Sequence, residues 1–325
     1  MTEFKENLRD INADDLYLFY QSVSKKNITK EELKYAFYNS TYSVFALKDG
    51  RITGTLRAIS DDVEWTYISE VIVSEEHKGE GIEDELIKRA LKRFKGHEIF
   101  TVTGRDSLGL YEELGFKRSK NAFSYEGYEG DFNILKPKEE YYLPLGYEYE
   151  VEHFPFAGSF PVGRKSSFDL SKVEIRYEIK FDNPDFDKIN GLLIKAFGGS
   201  NRNVKDTKKA FLNSRYFAFA YVNDDIVGCA RAVSDGKLQA LILNVAVDPD
   251  YQGLHIGQNV VDLLCEQMKG QNVFLNTHPG GVGFYNRKPY LRNKTALLYP
   301  AHPDMPEDIA RGFVLSKGFR FEDEQ

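Results

Sequence analysis

The sequence predicts an α/β (α+β) protein made of two copies of one layered domain, each a mixed sheet covered by helices. Three observations predict it. The chain repeats itself at a constant shift of 174 residues. Within each copy, apolar strand-like runs alternate with stretches of helical period. The length, 325 residues, suits two compact domains better than one.

The repeat is plainest where KYAFYNSTYSVFA, from Lys34, meets KKAFLNSRYFAFA, from Lys208. At the same shift GTLRAISD from Gly54 meets GCARAVSD from Gly228. Between Lys34 and Asp61, 14 of 28 positions are identical without a gap, where chance gives about two. Val71 falls on Val245, Gly79 on Gly253 and Tyr111 on Tyr285. A unit this long is a whole domain, not a solenoid repeat. The expected division is 1–135 for the first domain, 136–172 for a connector and 173–325 for the second.

Each copy reads in the same order. A helical stretch comes first, Leu33 to Phe37 and Ile189 to Phe197. Two strands follow; in the second copy they are YFAFAYV and IVGCARAVS, turning at Asn223-Asp224-Asp225. A longer apolar strand is next, YISEVIV at Tyr67 and LILNVAV at Leu241. A Gly-containing loop then opens a helix. Ile82, Leu86, Ile87, Ala90, Leu91 and Phe94 keep helical spacing in the first copy. Ile256, Val260, Val261, Leu264 and Met268 do so in the second. A further strand (EIFTVT; NVFLNT) leads to a short helix carrying Tyr111 or Tyr285. The connector's Pro, Gly and aromatic residues suggest ordered chain on the surface, not a flexible tether. Beyond Pro300, Glu307 to Val314 reads as a short helix.

Composition narrows the function. The 24 Phe and 20 Tyr supply two cores. A net charge of −7 disfavours a general nucleic-acid binder. No apolar run is long enough to cross a bilayer, and MTEFKENLRD lacks the apolar stretch of a signal peptide. Cys229 and Cys265 read as reduced core residues. The expectation is a cytoplasmic protein with neither a nucleic-acid nor a membrane partner; the oligomeric state stays open. No metal site is expected, since His278, His302 and Asp304 have the wrong spacing and no Cys joins them.

The segment that carries chemistry is Val245-Ala-Val-Asp-Pro-Asp-Tyr-Gln-Gly-Leu-His-Ile-Gly257, followed by an apolar helix. N–H groups at a helix start lack intrahelical partners and carry partial positive charge. Small residues there let phosphate oxygens come close. No P-loop Lys-Ser/Thr and no spaced Gly triplet is present. The segment resembles the coenzyme A-binding motif of GCN5-related N-acetyltransferases (GNAT), Gln/Arg-x-x-Gly-x-Gly/Ala after a Val-x-Val-x-Pro strand end. Gln252 fills the Gln/Arg position and Gly257 the last small one; His255 replaces the middle Gly. In the first copy Lys78 replaces Gln/Arg, Gly81 is kept and Glu83 replaces the small residue. Tyr111-Glu-Glu-Leu-Gly-Phe116 fits the family's later signature in full, whereas the second copy keeps Tyr285 and loses Leu-Gly-Phe.

The resemblance implies two tandem domains with mostly antiparallel sheets, and acetyl-CoA as co-substrate. It implies a cofactor site at Val245, Ala246, Val247, Gln252, Gly253, Leu254, His255, Ile256, Gly257 and Gln258. The fourth strand would part from the fifth to admit the pantetheine arm. A backbone N–H near Val245 or Ala246 would polarise the thioester carbonyl. A neutral amine would attack, losing its proton through water or an acidic residue. Tyr285, or Tyr111 in the first copy, would protonate the departing thiolate. Glu70 is a candidate base, and its counterpart, Asn244, cannot be one. His278 is read either as orienting water or substrate, or as structural. Arg57 and Arg231 read as anchors of a sheet edge or the connector, not as catalysts. The acceptor is a small-molecule amine or a peptide N-terminus: polyamine, arylalkylamine, aminoglycoside and amino acid all stay open. A non-catalytic coenzyme A-binding regulator, or an acyltransferase with another donor, are the alternative readings. Glu80, Glu83, Asp84 and Glu85 crowd the first helix start with negative charge, whereas Gly257, Gln258 and Asn259 leave the second neutral. The second domain is therefore the expected binder.

Overall fold

Short-range chemistry sets the helix starts. Asn12 accepts the Asp14 and Asp15 N–H groups to open α1 (Ala13–Val23), and a Thr29–Glu32 capping box opens α2 (Lys30–Tyr38). Asp185 and Asn203 do the same for α6 (Phe186–Phe197) and α7 (Val204–Leu212). The one helix expected ahead of the first hairpin is thus two. Leu33–Phe37 lies in α2 and Ile189–Phe197 in α6, and at the constant shift α2 matches α7 while α1 matches α6. The computed structural model describes residues 2–24, 27–125, 138–147, 149, 173–180, 182, 184–198, 202–299, 314–315 and 318–324. Most of the expected connector, His302, Asp304 and the expected tail helix up to residue 313 lie outside them; its last residue, Val314, bridges Ser119 in antiparallel register and is not helical.

The remaining elements of the first half are β1 (Glu3–Lys5), β2 (Tyr42–Lys48), β3 (Arg51–Ser60), β4 (Trp65–Val73), α3 (Ile82–Arg93), β5 (Glu98–Val102), α4 (Leu108–Glu113), β6 (Lys117–Arg118) and β7 (Ala122–Tyr125). After α5 (Lys138–Tyr141) and β8 (Arg176–Glu178), the second half continues with β9 (Tyr216–Val222), β10 (Asp225–Ser234), β11 (Gln239–Val247), α8 (Ile256–Glu266), β12 (Asn272–Asn276), α9 (Val282–Tyr285), β13 (Tyr290–Arg292) and β14 (Ala296–Tyr299). The two sheets run β1-β2-β3-β4-β5-β14-β6 and β13-β7-β12-β11-β10-β9-β8. Among the described strands only β4–β5 and β11–β12 are parallel pairs. The sheets are mixed and mostly antiparallel.

Each sheet takes one strand from the other half of the chain. β14 lies between β5 and β6, and β7 lies between β12 and β13. The exchange is reciprocal, because β7 and β14 are themselves equivalent at the 174-residue shift. The expected sequence halves and the sheets therefore do not coincide.

Residues on opposite faces of each sheet enter different cores. In the second sheet Ala240 and Ile242 pack beneath α8 with Ile256, Val260 and Val261. Leu241, Leu243 and Phe274 meet Ile59, Tyr67 and Phe100 of the first sheet in a core shared by both halves. The recurring glycine of the repeat serves the helix packing. A Cβ on Gly228 would stand 2.5 Å from Ile256 Cγ2, and one on Gly54 3.0 Å from Ile82 Cγ2, so only glycine lets the start of α8 seat on β10 without displacement.

Candidate functional site

The site begins where two parallel strands part. β11 pairs with β12 only from Gln239–Asn272 to Ile242–Leu275, yet β11 runs on to Val247. A bulge where Asn244 takes φ 50° bends the strand at that point. The Asp248 N–H bonds to the Val227 carbonyl at 2.8 Å. By strand alternation Ala246 also faces β10, and Val245 and Val247 turn their backbone groups to the open edge. Here β11 runs on past the end of β12, at the place where the resemblance implied a parting of the fourth and fifth strands.

The opening is a cleft of about 720 Å³, within the usual range for a small-molecule site. Nine of the ten expected cofactor residues line it: Val245, Ala246, Val247, Gln252, Gly253, His255, Ile256, Gly257 and Gln258. The tenth, Leu254, packs instead against the core beneath α8. His255 caps α8 in the left-handed conformation, φ 58°, with its side chain exposed and no side-chain cap bond. Its carbonyl accepts the Asn259 N–H at 3.0 Å. The helical N–H groups of Ile256, Gly257 and Gln258 have no intrahelical acceptor. Substituting His for Gly therefore keeps the backbone turn and sends the ring to solvent.

Tyr285 stands on the cleft wall. Its ring is held by Phe284, Phe123 and Tyr290, with centroids 4.7, 5.8 and 5.1 Å away. Burial raises its hydroxyl above the ordinary tyrosine value, so it stays protonated and able to donate. His278 lines the same cleft. Its Nδ1 accepts the Gly280 N–H at 3.1 Å, and burial lowers its pKa to about 4. The neutral ring with Nδ1 accepting carries its proton on Nε2, which makes it a donor and not a base.

Some lining residues had not stood out in the sequence. Arg287 reaches the cradle with Nη2 3.0 Å from Gln258 Oε1 and its guanidinium over the Phe284 ring. Thr277, Phe197 and Trp65 also line the cleft. The Arg-Lys-Pro run after Tyr285 was the available signal for Arg287; nothing local marked Trp65.

The first copy differs at the matching places. Glu83, equivalent to Gly257, is partly buried, which raises its carboxyl above the ordinary value; Ser107 bonds to it and Lys78 lies near. Its charge acts on Tyr111. Tyr111 is buried beside Thr101 and Thr103, and burial raises its hydroxyl. Glu70 takes the Tyr20 hydroxyl at 2.5 Å and Arg57 Nε at 3.3 Å, and its side chain is only 7% exposed. Neither Tyr111 nor Glu70 lines the cleft of the second sheet. Arg57 and Arg231 are fully buried and cross between the halves, Arg57 Nη1 to Asp235 at 2.8 Å and Arg231 Nη2 to Asp61 at 2.7 Å. They tie one half to the other, not a sheet edge or the connector as the sequence had suggested. No described helix is long and apolar enough to cross a membrane.

Comparison with known proteins agrees with this geometry. The profile of the Acetyltransferase (GNAT) family matches residues 6–116 and 189–288. The "Uncharacterized N-acetyltransferase ycf52-like" of Prochlorococcus marinus is 31% identical over 100 residues, 29% of this chain and 56% of that protein. The "Serotonin N-acetyltransferase 2, chloroplastic" of Oryza sativa is 39% identical over 62 residues, 18% of this chain and 31% of that protein. The alignments span from about a third to under two thirds of the curated relatives. At the level of fold, a GCN5-related N-acetyltransferase from Sphaerobacter thermophilus covers 94% of this chain and 98% of its own, at TM-score 0.51 and 12% identity. A glucosamine N-acetyltransferase region of a fungal multi-domain enzyme covers 92% of this chain and 38% of its own, at TM-score 0.50 and 12% identity. Two matched regions, two sheets and a repeat that superposes one on the other have one reading: the chain is a tandem member of the GNAT acetyltransferase family.

Proposed function

We propose that the protein transfers an acetyl group from acetyl-CoA to a primary amine, and that the second copy does the work. The observation that carries this is the parted β11–β12 edge, continuous with a neutral helix start at Ile256–Gln258. The residues present fit the co-substrate. The free N–H groups of Ile256, Gly257 and Gln258 suit a pyrophosphate, and Arg287 adds a positive charge beside them. The open edge of Val245 and Val247 suits the amide groups of a pantetheine arm. Acetyl-CoA supplies an activated thioester.

The chain's own contributions follow from position. The Val245 N–H faces the cleft and serves as donor to the carbonyl oxygen as charge builds there. The incoming nitrogen forms its bond to the acetyl carbon, the C–S bond breaks, and the Tyr285 hydroxyl gives its proton to sulfur. The surplus amine proton passes to water, and water returns one to the tyrosinate, so that the proton count closes and the hydroxyl is restored. Among the described residues no Asp or Glu lines the cleft, so Glu70 is given no part as the base in this reading. The amine must arrive neutral.

Titrating acetyl-CoA into the intact protein by calorimetry tests the reading. Wild type is expected to take up about one equivalent. A Cβ on Gly257 meets its nearest neighbour, Val247 Cγ2, at an ordinary 3.5 Å, so Gly257→Glu folds and places a carboxylate in the cradle. Repulsion of a few kcal/mol at partly exposed range weakens binding at least about tenfold. Glu83→Gly leaves affinity as it was. Unchanged binding by Gly257→Glu would move the site to the first copy.

A further inference from the structure

The cleft is not built from one copy alone. Trp65, at the start of β4 in the first sheet, lines it. Its N–H bonds to Asp61 Oδ1 at 3.0 Å, and it packs against the core shared by both halves, with Leu241, Leu243 and Phe274. Those residues project from the face of the second sheet that turns away from α8. The end of α6 comes from the same side. That helix packs with Cys229 and Ala246, and its Ala196 and Phe197 reach the cleft. One side of the opening therefore carries the cradle on α8, and the other is bounded by Trp65, Ala196 and Phe197.

An acceptor that meets the thioester without displacing the co-substrate must enter from the second side. Two aromatic faces wait there, and among the described residues no carboxylate lines the cleft. A polycation would find no countercharge among those residues, whereas a single amine on a flat apolar body would bury that body against indole and phenyl. The repeat sharpens the point. Gln239 occupies the place of Trp65 in the second copy, and its Oε1 accepts the Tyr67 hydroxyl at 3.1 Å, so the first copy receives no matching wall.

We infer that Trp65 of the first copy is a specificity wall in the acceptor site of the second, selecting an amine borne on an aromatic or flat apolar group. This rests on the acetyl-transfer reading, but the emission arm of its test does not. Trp65 is the sole tryptophan of the chain, so its emission reports the wall directly. Phenethylamine titrated into wild-type protein is expected to change that emission saturably, and spermidine is not. In turnover, Trp65→Ala raises KM for phenethylamine about tenfold, a loss of ~1.4 kcal/mol, while calorimetric affinity for acetyl-CoA stays within about twofold. Trp65→Phe restores part of the loss and guards against a folding defect in the alanine variant. Emission unmoved by an amine that is turned over sinks the wall and leaves acetyl transfer standing. Emission moved by phenethylamine in a protein that binds no acetyl-CoA does the reverse. An unchanged KM in Trp65→Ala, or emission unmoved by both amines without turnover, also overturns the wall.

Discussion

A hydroxyl that holds its proton is useful where an anion is about to form. Tyr285 meets that condition, because burial against Phe123, Phe284 and Tyr290 raises it, and it is among the residues that line the cleft. Tyr285→Phe keeps the ring packing and removes only the proton. Steady-state kinetics should show kcat down about a hundredfold with acetyl-CoA affinity unchanged; an unaltered kcat would assign the proton elsewhere. His278 gives a second residue-scale test, of stability. Its folded pKa, about 4, lies below the ordinary 6.5. The unfolded chain therefore takes the proton first, and the folded state loses ground as pH falls from about 6.5 towards 4. His278→Asn keeps an acceptor for the Gly280 N–H and removes the titration. Thermal melts should show wild type losing more Tm than the variant between pH 7 and 4.5. Equal losses would place the acid sensitivity in other groups. The two residues differ in legibility. Tyr285 was visible because a motif surrounds it, whereas the donor state of His278 depends on a bond to Gly280 that only the folded loop provides.

At the scale of the element, the helix start was legible in the residues, the opening beside β11 only through the resemblance, and the strand exchange not at all. Local chemistry explains the first: small and neutral residues after a Val-x-Val strand end have few other uses. The last follows from the repeat itself. β7 and β14 are equivalent segments, and either can complete either sheet, so no local pattern says which it joins. The exchange has a measurable consequence. β7 brings Phe123, fully buried, into the core beneath α8 and separates β12 from β13. Losing a buried Phe alone costs about 3–5 kcal/mol. Residues 173–325 expressed by themselves should lack cooperative thermal unfolding, and co-expression with residues 1–150 should restore it as a co-purifying pair. A cooperative melt from 173–325 alone would mean that its sheet closes without β7.

Across the whole molecule the two halves are locked by paired, buried charges. Arg57 meets Asp235, and Arg231 meets Asp61; all four side chains are fully buried. The contacts are exchanged copies of each other, since Asp235 is the repeat of Asp61 and Arg231 that of Arg57. Each Asp also holds its own loop. Asp61 Oδ1 accepts the N–H groups of Val63, Glu64 and Trp65 at 3.0 Å. Asp235 Oδ1 accepts those of Lys237, Leu238 and Gln239 at 2.7–3.1 Å. The recurring Arg and Asp were visible in the sequence, but their crossing was not, because a repeat cannot say whether a pair forms within a copy or between copies. Truncating either Asp removes the nearer, fully buried countercharge and leaves each guanidinium only a more distant carboxylate, Glu70 at 3.3 Å for Arg57 and Glu64 at 3.6 Å for Arg231, at a cost of about 3 kcal/mol. Asp61→Ala and Asp235→Ala should therefore lose similar stability in urea melts. Their effects on the cleft should differ. Only Asp61 fixes the turn into Trp65, so Asp61→Ala should shift the emission of the single tryptophan and weaken the acceptor site, while Asp235→Ala, at equal cost in stability, should leave that emission in place. If both variants moved the emission alike, the loop at Asp61 would not be what aims Trp65 into the cleft, and the wall would be held by the shared core alone.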